Sequence, residues 1–141
     1  MQNTYMNTSL AIQKLIPDAL GFTLTPDEQI DKWWDQAPQP TAAELQAALT
    51  EILKDQRLDD IKTEAARRID NIAPLWRQTN ALIAIQSLSS TPDLTADQQQ
   101  SLDQSTALFD KINTIRSQSD ALEARAIAGE IFDPSDDAIW G

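Results

Sequence analysis

From Leu45 to Ile72 the chain returns to the same side of a helix every three or four residues, through Leu45, Leu49, Ile52 or Leu53, Gln56, Ile61, Ala65, Ile69 and Ile72. A stripe with that period fits a helix of 3.6 residues per turn and does not fit the two-residue alternation of a strand. Leucine, alanine, glutamate, lysine and arginine dominate the stretch, all good helix formers. Thr41 followed by Glu44 supplies the start, because a threonine hydroxyl at the cap accepts from the third amide of the helix. Pro74 interrupts the pattern, yet Leu75, Trp76, Leu82, Ile83 and Ile85 resume it. The spacing predicts one kinked helix over 42–88, roughly 70 Å long at 1.5 Å per residue. Two helices broken at Pro74 are the alternative.

The polar segment Ser87 to Asp93 contains Pro92 and reads as a turn. Thr95 with Gln98 repeats the cap signal and opens a second predicted helix over 96–128, ending near Gly129. Leu102, Phe109, Ile112 and Ser119 form one heptad-like series, with Leu108, Ile115 and Leu122 beside it. These elements predict an all-α fold built as a long antiparallel helical hairpin over 41–128. It is preceded by an N-terminal docking segment, 1–40, that is helical or irregular, and followed by an acidic tail, 129–141, containing Phe132, Pro134, Ile139 and Trp140. A two-helix rod leaves part of a broad apolar stripe in water, so self-association or incorporation into a larger assembly is expected.

Residues 1–24 are apolar at Leu10, Ile12, Leu15, Ile16, Leu20, Phe22 and Leu24 without a clean period, and Pro17 and Gly21 break them, so a short helix or strand is expected on either side, ordered by itself or by a partner. At Thr25 three start signals coincide: threonine at the cap, Pro26 at the first helical position and Glu28 three residues on. They predict a short helix with Ile30, Trp33 and Trp34 on one face, stopped by Pro38 and Pro40.

The chain has 141 residues and no cysteine or histidine, which removes disulfides, thiol nucleophiles, imidazole bases and the common zinc ligands together. Gly21, Gly129 and Gly141 are isolated, so no glycine-rich phosphate cradle exists. Asp59 and Asp60 diverge on a helix, and Asp133, Asp136 and Asp137 lack the twelve-residue calcium-loop pattern. No enzyme chemistry, metal or cofactor is expected. With 22 acidic and 11 basic residues the net charge is -11, which disfavours broad contact with nucleic acid. That charge divides as -3 over 1–40, -1 over 41–88 and -7 over 89–141. No apolar run is long enough to span a membrane, and the first residues lack an export signal, so no membrane insertion is expected.

The residues that remain are candidates for contact rather than catalysis. Trp33, Trp34, Ile69, Ile72, Leu75, Trp76, Phe109, Ile112 and Trp140 are the candidate packing or interface anchors. Arg67, Arg68, Arg77, Gln78, Asn80 and Arg116 form a candidate polar rim, since tryptophan and arginine are frequent interface anchors.

The segment AARRIDNIAPLWRQTNALIAIQSL, residues 65–88, resembles one recurring in small tailed-bacteriophage proteins encoded in the tail and tail-fibre region. PTAAELQAALTEIL before it fits the same style, and LFDKINTIRSQSDALEA, residues 108–124, resembles the second helical segment of those proteins. The resemblance covers roughly residues 40–125. Its matching positions are Arg67, Arg68, Ile69, Pro74, Trp76, Arg77, Gln78 and Asn80, then Ile112, Ile115, Arg116, Ser119 and Glu123. It implies that these residues fix the kink and the helix packing. It further implies a virion structural protein made in the host cytoplasm, forming or supporting a tail, fibre or baseplate attachment, with copies of itself and other virion proteins as partners. A non-virion assembly chaperone is one alternative; an acidic mimic of nucleic acid that occupies a host protein's basic groove is another.

Overall fold

The computed structural model describes residues 4–19 and 21–141, with side chains from residue 8 onward. Leu20, one of the apolar positions singled out in the sequence, lies outside the described residues. The elements in order are α1 (Thr4–Leu15), β1 (Phe22–Leu24), β2 (Ile30–Trp33), α2 (Ala42–Ile72), α3 (Leu75–Leu88), α4 (Ala96–Ile127) and a terminal 3-10 turn (Asp137–Trp140). The fold is all-α with a small antiparallel sheet, but it is not the predicted two-helix hairpin: four α-helices occur among the described residues. Two compact units are present, Met1–Gln56 and Arg57–Gly141, and α2 contributes residues to both.

In the first unit the expected helix at Thr25 is replaced by a β-hairpin. Phe22 pairs with Trp33, Thr23 with Lys32 and Leu24 with Ile30, a shift in register that leaves Asp31 as a bulge. The Phe22 and Trp33 rings stack with centroids 5.9 Å apart. Thr25 uses its hydroxyl to accept from the Gln29 amide at 3.1 Å, while its carbonyl accepts from Glu28 at 2.9 Å. Glu28 takes a left-handed φ of 63°. The same Thr-x-x-Glu chemistry that caps a helix here closes a turn, and β-forming Phe22, Ile30 and Trp33 decide the outcome on either side. Gly21 is required by space, since a Cβ there would meet the Asp35 amide at 2.9 Å. Ala11 and Ile12 of α1, Ala19 and Ala48 of α2 are buried. The Thr41 cap forms as expected, its hydroxyl accepting from the Glu44 amide at 3.1 Å.

In the second unit, the predicted continuous helix over 42–88 is two helices separated at Ala73–Pro74. Pro74 has ψ 160°, an extended value that no kinked helix contains. Proline has no amide to donate and disfavours helical angles in the residue before it. The break is then used. The Pro74 carbonyl starts α3 by accepting from Arg77 and Gln78, and the Gln78 side chain donates to the stranded Ala73 carbonyl at 2.8 Å. Ala73 is fully buried.

The helix α4 carries the reciprocal cap at Thr95 and Gln98 and ends at Gly129, whose φ of 93° suits glycine. The core joins Ile61 and Ala65 of α2 to Ile115, Leu122 and Ala126 of α4, with Trp140 in their midst. Leu58, Ile69, Ile72, Phe132 and Ile139 border it. The acidic tail is therefore folded back onto the unit by an aromatic anchor.

Candidate functional site: the outer face of α3

The helix α3 is apolar on two opposite sides. One side, through Ala81 and Ala84, lies along α4, where Ser101, Gln104, Ser105 and Leu108 face it across a shallow cleft. The other side is uncovered: Leu75 is 73% exposed, Trp76 67%, Leu82 46% and Ile83 55%. Positions 75, 79 and 82 follow each other at helical spacing, and 76 and 83 run alongside seven residues apart, so these side chains form one contiguous strip. Scattered exposed apolar residues are ordinary on a monomer, whereas four large ones in two helical rows form a contiguous patch and a candidate contact surface. Arg77 is the single charged residue in α3.

The sequence candidates fall into separate settings. Leu75 and Trp76 stand on the uncovered strip, whereas Ile69 and Ile72 border the core, Phe109 is half-buried and Ile112 and Trp140 are buried. In the first unit, Trp33 is half-buried and donates its indole N–H to the Ala37 carbonyl at 2.8 Å, while Trp34 is exposed. Gln78 is committed to the α2–α3 break. Arg77 and Asn80 line the cleft against α4, and Arg116 donates to Asn113 at 3.2 Å.

Arg68 clamps the tail, and Arg67 shares its partner Glu64. Arg68 donates to Glu64 at 2.9 Å and to Asp137, and its guanidinium lies 4.9 Å from the centre of the Trp140 ring. Arg67 donates to both Glu64 oxygens, from Nε to Oε2 at 2.9 Å and from Nη2 to Oε1 at 2.5 Å. Donation by Arg67 holds the Glu64 carboxyl below its ordinary range, opposed by burial and aided by the charges of both arginines. The guanidinium groups of Arg57 and Arg125 lie 5.9 and 4.8 Å from the centre of the Phe132 ring, with Arg125 also paired to Glu130 at 2.8 Å. The tail acids considered as cation ligands are engaged within the chain: Asp133 accepts from Ser135, Asp136 from the Ala138 amide and Asp137 from Arg68. The Ser135 backbone donation, followed by that of its hydroxyl, lowers the Asp133 pKa.

A second feature escaped the sequence reading. A cleft of about 370 Å³ in the first unit is lined by Thr8, Ala11, Gln29, Ile30, Gln46 and Leu49 among others, and Glu28 borders it. Glu28 Oε1 is the one buried side-chain oxygen without a hydrogen-bond partner among the described residues. No signal in the sequence marks it, because the left-handed turn that turns the carboxylate inward replaces the helix predicted there.

Among the described residues no cluster of acidic, histidine or cysteine side chains is arranged to hold a metal ion, and no helix is long and apolar enough to cross a membrane. No protein-family model matches the chain, and no curated protein or solved structure matches it.

Proposed function

We propose that this chain is a structural assembly protein of a tailed-phage particle, working in the tail region by docking to copies of itself and to neighbouring proteins. The observation that supports docking is the uncovered strip on α3, four large apolar side chains on the side of the helix that faces away from α4. The placement in a phage tail rests on the resemblance of residues 65–88 and 108–124. The two fit together, since Trp76 of the strip is one of the positions that carry the resemblance, and Gln78, another, completes the break from which α3 starts.

Quantitative protein identification in purified particles tests the reading. The chain is expected in mature particles at a fixed number of copies relative to the tail proteins. Abundance in infected-cell lysate with absence from particles overturns it in favour of an assembly chaperone. Recovery from host extract bound to a basic protein, released by salt, overturns it in favour of an acidic mimic.

A further inference from the structure

The outer strip of α3 reads the same in both directions. Counting from Thr79, Leu75 lies four residues before and Ile83 four after, while Trp76 lies three before and Leu82 three after. An isologous contact pairs residues symmetrically about its two-fold axis, so a self-complementary row is the pattern such a contact needs. We infer that two copies of this chain pair through α3 in antiparallel fashion, with the two-fold axis passing at Thr79. Leu75 of one copy then lies over Ile83 of the other, and Trp76 over Leu82. This rests on the reading of the chain as an assembly subunit and names the partner of that strip.

Three further observations favour a second copy over a partner of different chemistry. The residue at the centre is small, which lets two helix axes approach to the 8–10 Å of close packing. Its hydroxyl already donates to the Leu75 carbonyl at 3.0 Å, so covering it strands no polar group. The strip also carries almost no charge in a chain of net charge -11: Arg77 stands outside it, facing the cleft against α4. An acidic molecule meets its own copy most easily where its charge is sparse, whereas a basic partner would be met by acidic side chains. The four residues present about 500 Å² per copy, so their full burial in a pair covers at most about 1,000 Å², the size of a weak or transient interface.

The absence of cysteine allows a direct test on the full chain, because any disulfide must come from an introduced residue. Sedimentation across about a hundredfold range of concentration is expected to show a monomer–dimer equilibrium, and Trp76→Ala to weaken it by about tenfold or more. Thr79→Cys is expected to form a disulfide-linked dimer under mild oxidation, and Gln86→Cys to form none. A mixture of Leu75→Cys and Ile83→Cys chains is expected to cross-link more than either alone. All four sites are exposed, and circular dichroism checks that the helices are retained.

A monomer at every concentration overturns the inference, as does equal cross-linking at 79 and 86, which marks parallel pairing. Association unchanged by Trp76→Ala places the contact elsewhere and overturns it too. A pair that forms in purified protein while the chain is missing from particles sustains this inference and removes the virion reading. Presence in particles without pairing or cross-linking does the reverse.

Discussion

Arg67 and Arg68 are neighbours with unequal work. The Arg68 side chain is 18% exposed and joins Glu64, Asp137 and the Trp140 ring, whereas Arg67 is 55% exposed and touches Glu64 alone. Arg68→Ala is therefore expected to cost about 2 kcal/mol, since it takes from part-buried Glu64 one of its two arginines and frees Asp137 and Trp140 of the tail. Arg67→Ala is expected to cost much less than Arg68→Ala, because solvent screens an exposed pair. Urea denaturation of the two variants checks the order, and equal losses would refute it. The same cluster sets a dependence on acid. Glu64 has a lowered pKa in the folded chain, chiefly through donation by Arg67, so the unfolded chain takes up this proton first as pH falls. The stability it contributes is complete above the ordinary value of 4.5 and is lost as pH falls through the lower folded value. The urea midpoint is expected to drop below about pH 4.5, and Glu64→Gln to flatten that part of the curve. A midpoint that stays level down to about pH 3 would exclude this role for Glu64.

At the scale of elements, the junction between α2 and α3 is held by one side chain. Gln78→Ala removes the donor to the Ala73 carbonyl, leaving a buried acceptor at the break, and is expected to cost about 1 kcal/mol with local loss of amide protection near residues 73–78. Hydrogen exchange checks it, and unchanged protection there would show that the proline alone makes the break. This contact also explains what periodicity leaves open. Pro74 marks an interruption, but whether a helix bends or breaks depends on who satisfies the carbonyl before it, and a glutamine five residues on carries no periodic signal. Elsewhere the helices were legible where a cap and a long stripe agree, as at Thr41 with Glu44 and Thr95 with Gln98. The hairpin was not legible, because strands of three and four residues are too short to display alternation and Thr25 offers the same hydroxyl to a turn as to a helix. The clamp on the tail joins Arg68 to Asp137, 69 residues apart, and nothing local announces it. On α3, the sequence singled out Leu75 and Trp76 as anchors but gave no means of telling which apolar side faces α4 and which faces water.

At the scale of the whole molecule, charge and apolar surface act against each other. Two copies of a chain with net charge -11 repel at a distance, whereas the strip on α3 attracts only at contact. Raising ionic strength from about 20 mM to about 300 mM shortens the reach of the repulsion and is expected to strengthen self-association several-fold, read by sedimentation at fixed protein concentration. Weakening with salt would instead point to opposite charges at the contact. The scarcity of charge on α3 then has a kinetic meaning. If copies pair as proposed, encounters on acidic faces are turned away before apolar surfaces touch, whereas α3, with Arg77 its one charged residue, offers an approach free of acidic side chains of its own. In the proposed pairing the acidic residues thereby act as an orientation filter, keeping the chains colloidally dispersed while leaving the α3 approach open to assembly.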